Sequence, residues 1–120
     1  MDIIFTGFDQ IFHLQNLLLM AGGLVIGIVI GAIPGLNVPL AVALALPFTY
    51  HMPPLAGLSM LIGIYKGGTH GGSISAILIN VPGAPAAAAT AIDGYALARQ
   101  GKAGKALKLS IYASVFGEIL

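Results

Sequence analysis

The sequence predicts an all-α integral membrane protein: about three transmembrane helices, a re-entrant helical hairpin and the start of a further helix. Three observations predict it. The 120 residues are 58% hydrophobic and 8% charged, against roughly 25% charged in a soluble domain. So few charges cannot cover a surface in water. Their placement is sharper still: no Asp, Glu, Lys or Arg lies between Asp9 and Lys66, or between Lys66 and Asp93. A hydrocarbon core asks for about 20 apolar residues per helical crossing and admits charge only at a cost. Finally, the apolar runs lack the period-3.6 alternation of helices that keep one face in water.

The N-terminal stretch MDIIFTGFDQIFHLQN lacks the basic n-region and small-residue cleavage site of a signal peptide. The first apolar segment is therefore expected to remain in the chain. That segment, Leu14 to Ile33, is 20 residues long, about 30 Å as a helix and enough for one crossing. Gly23, Gly27 and Gly31 fall four apart, and Gly35 continues the series. Such spacing lines one helix face with glycine and lets a second backbone approach closely.

Pro34 and Pro39 lack amide donors and Gly35 allows positive φ, so a break is expected between the first two helices. Leu40 to Tyr50 is apolar but interrupted by Pro47, and His51 to Pro54 reads as a turn. Leu55 to Tyr65 is apolar and runs into the glycine-rich Lys66 to Ser73, where Gly63, Gly67 and Gly71 repeat the four-residue spacing beside Gly68 and Gly72.

Ser73 to Ile79 and Ala86 to Ile92 are two short apolar arms around Asn80-Val-Pro-Gly-Ala-Pro85. Each is too short to cross alone, so together they predict the re-entrant hairpin; a single kinked crossing is the alternative. Asp93 to Lys108 is the one polar stretch, with Arg99, Lys102, Lys105 and Lys108. The positive-inside rule makes it a cytoplasmic loop, with Asp93 starting it as a turn or N-cap. The first 13 residues hold Asp2 and Asp9 but no Lys or Arg, which places the N-terminus outside. Leu109 to Leu120 begins a new apolar helix, so residues 1–120 are expected to form one membrane domain, the N-terminal part of a longer subunit. Asn37-Val-Pro39 and Asn80-Val-Pro82 give a faint internal echo.

Net charge is +1, so no basic stripe invites nucleic acid. The absence of cysteine excludes disulfides and thiolate metal sites. Gly71-Gly-Ser-Ile-Ser75 lacks the last glycine of a nucleophile elbow, and Gln100 to Lys105 lacks the upstream glycine and Ser/Thr of a phosphate loop. His13, His51 and His70 show no metal-ligand spacing. The sequence predicts no enzyme and no cofactor.

What remains is a pair of glycine-proline breaks inside apolar segments, each carrying small polar residues. Transporters build solute sites this way, with freed amides and helix N-termini for anions and unwound carbonyls for cations. The candidate binding residues are Gly35 and Asn37 at the first break, then Lys66, Thr69, Ser73, Ser75, Asn80 and Gly83 in the second region. Each has a plainer alternative. Four-spaced glycines are packing seams first, Asn80 can simply tie down a broken helix, and Lys66 can snorkel to the interface or serve as counter-ion to a carboxylate. As a whole, the chain is also compatible with a non-transporting scaffold protein packed through its glycine ridges.

Gly31-Ala-Ile-Pro-Gly-Leu-Asn-Val-Pro39 and the stretch from Gly63 to Leu107, with its Gly-Gly-Ser, Asn-Val-Pro-Gly and Asp-Gly-Tyr…Gln-Gly-Lys-Ala-Gly motifs, resemble the large membrane subunit of tripartite tricarboxylate transporters. Pro34, Gly35, Gly71, Gly72, Ser73, Asn80, Pro82, Gly83, Asp93, Gly94 and Tyr95 fall on the family's pattern. The resemblance implies a multi-pass subunit of the bacterial inner membrane, several times longer than this chain. It also implies a small membrane subunit and an extracytoplasmic solute-binding protein as partners, with ion-gradient-driven uptake of an organic carboxylate coupled to a cation such as sodium or a proton. Two departures stand out: Lys66, where the pattern has an uncharged residue, and Ala84-Pro85, where many members carry an acid.

Overall fold

Six helices form the computed structural model, which describes residues 2–83 and 85–120: α1 (Asp2–Ile11), α2 (Leu14–Gly31), α3 (Val38–Thr49), α4 (Pro54–Ile79), α5 (Ala88–Arg99) and α6 (Ala103–Ile119). A 3₁₀ turn, Pro85–Ala87, precedes α5, and no strand occurs among the described residues.

The first break falls where the sequence predicts it. After Gly31 the chain passes Pro34, and Gly35 takes φ +93°, a conformation that costs glycine little. Asn37 then caps α3: its Oδ1 accepts the Leu40 N–H at 2.9 Å, with Pro39 in the first turn where no amide is needed. Pro47 does not end α3 but lies inside it, near its C-terminal end. There the hydrogen bond it removes is confined to the last turn.

The glycine-rich region departs from expectation. Leu55–Tyr65, Lys66–Ser73 and Ser73–Ile79 are one continuous helix of 26 residues, so Ser73–Ile79 is the end of α4 and not a separate hairpin arm. A glycine inside a helix costs up to about 1 kcal/mol relative to alanine; here the close approach of α2 offsets that. Gly23, Gly27 and Gly31 of α2 lie against the carbonyls of Met60, Ile64 and Gly68, while Gly63, Gly67 and Gly71 of α4 lie against those of Met20, Leu24 and Ile28. A Cβ at any of the six would overlap the opposing backbone. Residue numbers rise together along both sides, so α2 and α4 run parallel, and they form the largest helix–helix interface.

The basic stretch also differs. α5 continues through Asp93 to Arg99 and α6 starts at Ala103, leaving residues 100–102 as the connection. Asp93 therefore sits within α5 and caps nothing. Gly101, at φ +81°, ends α5: its N–H donates to Ala98 O at 3.0 Å, and the Lys102 N–H to Leu97 O at 3.0 Å. This paired closure removes the need for a long loop.

Small residues fill the interior and large ones cover the outside. Ala41, Ala45, Ala56, Ala76, Ala87, Ala91 and Ala106 are buried, and Ile64 and Ile77 are the largest fully buried side chains. Leu18, Val25, Phe48 and Phe116 are each more than 60% exposed. Among the described residues one helix, Leu14–Gly31, is long and apolar enough to cross a membrane.

Candidate functional site

The second break folds back onto the α2–α4 seam. Asn80 ends α4 in the left-handed region, φ 59° and ψ 29°, with its N–H donating to Ala76 O at 3.2 Å. Asparagine tolerates that conformation better than most residues. The Val81 N–H donates to Ser75 O at 3.4 Å and the Gly83 N–H to Gly72 O at 3.3 Å. The run Asn80–Gly83 thus retraces the last turns of α4. Gly83 comes to rest where a Cβ would meet the Gly31 carbonyl, with Gly72 Cα at 2.9 Å and Ser75 Oγ at 3.2 Å. α5 then packs on the end of α4, Ala87 and Ala91 against Ala76, and Gly94 against Ile77.

Beyond this break α4, α5 and α6 enclose a groove of about 760 Å³. α4 contributes Lys66, Thr69, His70 and Ser73, which share one face, away from its glycine ridge. α5 contributes Thr90 and Asp93, and α6 contributes Ser110, Ser114 and Glu118. At one end Lys66 Nζ lies 3.2 Å from Glu118 Oε1, both side chains about half exposed. The hydroxyl of Thr69 donates to Tyr65 O at 2.9 Å, which leaves its lone pairs free to accept; a rotated hydroxyl could serve a ligand instead.

The structure divides the expected binding residues into three groups. Lys66, Thr69 and Ser73 come together on the groove. Ser75 and Gly83 meet at the fold-back, where Ser75 is buried and donates to Gly72 O at 3.1 Å. Gly35 and Asn37 stay at the first break, exposed, with Asn37 occupied as a helix cap. Asn80 has its backbone role as the end of α4. Because Asn37 begins a helix and Asn80 ends one, the Asn-Val-Pro echo is not a structural repeat. Gly67 and Gly71 pack on α2, and Gly68 faces Val38, so these glycines serve packing. Lys66 is not at a helix end but in the middle of α4. Glu118 is the residue the sequence left unremarked, although Ser110, Ser114 and Glu118 recur at a helical period of four. Among the described residues no group of three His, Cys, Asp or Glu could hold a metal ion.

Residues 17–120 match the family described as "Tripartite tricarboxylate transporter TctA family". The chain belongs to that family. It is also 41% identical over 119 residues to a protein of Agrobacterium vitis named "Uncharacterized 52.8 kDa protein in TAR-I ttuC' 3'region". That alignment takes in 97% of this chain and 24% of the relative, so the chain spans about a quarter of that protein's length. No solved structure matches it. The family assignment agrees with the resemblance carried by the Gly-Gly-Ser, Asn-Val-Pro-Gly and Asp-Gly-Tyr segments. Of the two departures from the family pattern, Lys66 is the groove lysine, and Ala84 lies outside the described residues.

Proposed function

We propose that this TctA-family chain is part of the membrane subunit of a secondary, ion-gradient-driven tripartite transporter for tricarboxylates or related organic carboxylates. It would lie in the bacterial inner membrane with a small membrane subunit, and an extracytoplasmic solute-binding protein would deliver the substrate. The coupling cation would be sodium or a proton. In this arrangement α2 and the parallel α4 cross the bilayer, the 12-residue α3 with its flanking segments carries the chain back between them, Asn80–Gly83 re-enters beside the seam, and α6 starts the return.

The proposal is supported by two features: the fold-back of Asn80–Gly83 onto the α2–α4 seam and the groove lined by hydroxyls between α4, α5 and α6. Non-helical backbone at membrane depth survives only where protein buries it or a water-filled cavity hydrates it. Here Gly83 is half-buried against the seam, and the groove offers the polar surface. The interior of small residues beneath an exterior of Leu, Val and Phe supports the bilayer placement, because membrane helices pack through small side chains and leave large apolar ones to lipid.

The test is uptake by the full-length protein with its partners, comparing Asn80→Ala with Asn80→Gly. Glycine keeps the left-handed helix end and removes only the amide. Loss of a hydrogen bond to a charged ligand costs roughly 1.5–3 kcal/mol, about ten- to hundredfold in apparent affinity. Both variants are expected to weaken transport by that factor while accumulating normally. Normal transport by Asn80→Gly would assign Asn80 to the scaffold and remove the tip from the site.

A further inference from the structure

The glycine seam fixes how deep Lys66 lies. Gly63 is level with Met20 and Leu24, and Gly67 with Leu24 and Ile28. Gly27 in turn lies between Ile64 and Gly68, so Lys66 is level with Val25–Gly27, inside Leu14–Gly31, the helix that is long and apolar enough to cross a membrane. At 1.5 Å per residue this is about 6–9 Å from the nearer end of that helix, so Lys66 lies within the apolar segment and not at its end. Lys66 is also the one formal charge between Asp9 and Asp93. It shares a second, apolar cavity with Leu17, Met20 and Leu24 of α2 and Ile62 of α4. A lone ammonium at that depth is costly, and ionisable residues within membrane segments face a partner or a polar cavity. Lys66 has both: the carboxylate of Glu118 at 3.2 Å and the hydroxyl-lined groove beyond it.

We propose that the Lys66–Glu118 pair is the resting form of a carboxylate site. Glu118 holds the ammonium when the groove is empty, and a carboxylate group of the solute takes its place when the groove is filled. This rests on the transporter assignment above and deepens it by naming the anchor. The chemistry is an exchange of like for like. Glu118 and an organic carboxylate present the same two oxygens, so Lys66 remains neutralised throughout. Thr69, Ser73 and Ser114 lie along the same groove, able to donate to further carboxylate oxygens of a di- or tricarboxylate. Glu118 is on α6, so its release removes one tie between α6 and α4. Occupation of the site and the position of α6 become coupled.

The experiment is uptake of labelled di- and tricarboxylates by the full-length protein with its partners in proteoliposomes. Lys66→Gln should raise the half-saturating concentration about ten- to hundredfold, and Lys66→Arg, which keeps the charge, should recover most of it. Glu118→Gln removes the internal competitor, so it should lower the half-saturating concentration or leave it unchanged. The exchanged pair Lys66→Glu with Glu118→Lys should restore accumulation in the membrane without restoring wild-type affinity. Unchanged half-saturation in Lys66→Gln, with wild-type uptake intact, overturns the proposal alone. Wild-type uptake restored in full by the exchanged pair also overturns it, since the pair would then be a tether only. A wild-type protein that moves no di- or tricarboxylate removes the transporter assignment, and this proposal with it.

Discussion

Gly67→Ala tests the seam most directly. A Cβ at Gly67 would lie 2.9 Å from Ile28 N and from the Leu24 carbonyl carbon, and closer still to the Leu24 oxygen. Ordinary contact begins at 3.4 Å, so α2 and α4 must part by 3.4 − 2.9, at least about 0.5 Å. The opposing atoms are backbone and cannot swing aside. Overpacking of this kind costs about 1–3 kcal/mol, against a gain of up to about 1 kcal/mol in helix propensity. The net expectation is a loss of about 1–2 kcal/mol. Gly22→Ala is the control: it lies on the partner helix α2 next to the seam glycine Gly23, but nothing is within 4 Å of its would-be Cβ, so it should gain the propensity term alone. The assay is thermal unfolding of the two full-length variants, purified in the same detergent. Gly67→Ala should melt several degrees below Gly22→Ala. Equal or reversed melting temperatures would refute the direct backbone contact across the seam.

Two further predictions concern topology and capping. Gln10 lies beside Pro53–Ala56 at the start of α4, while Gly101 closes α5 beyond the other end, so cysteines introduced at Gln10 and Gly101 should label from opposite sides of the membrane. Labelling of both from one side would sink the arrangement of three crossings and a re-entrant run. Asn37→Ala removes the one side-chain bond to the start of α3 and should lower stability by about 1 kcal/mol, with little effect of Asn37→Ser or Asn37→Asp. Equal loss in all three variants would point to a role for Asn37 outside the cap.

The parts legible in the sequence are those decided by local chemistry. Pro34, Gly35 and Asn37 stop one helix and start the next through their own backbone preferences, and the structure follows them. The continuity of α4 was not legible, because glycines in a helix look like a break until a second backbone is there to fill the space they leave. Ser73–Ile79 was misassigned to a hairpin arm for that reason. The basic segment misled in a different way. Lysines and arginines mark exposure, and exposure does not exclude helix, so Asp93 and Lys105 lie in helices that Gln100–Gly101 separates with two backbone hydrogen bonds. Of the candidate site, Lys66, Thr69 and Ser73 were named as candidates, but their common face appears only once α4 is continuous through Ser73. Glu118 could not be joined to them, because nothing local records which face of α6 turns toward α4.

The six interleaved glycines also determine how α2 and α4 can move against each other. A slip of one residue, about 1.5 Å, moves each seam glycine out of register with the carbonyl it lies against. A slip of four residues, about 6 Å, brings glycines back opposite carbonyls. The pair therefore behaves as a notched rail with stops one helical turn apart. Any axial displacement of these two helices must come as a discrete step between notches, and smaller adjustments are left to the jointed segments at Ala32–Asn37 and Asn80–Gly83.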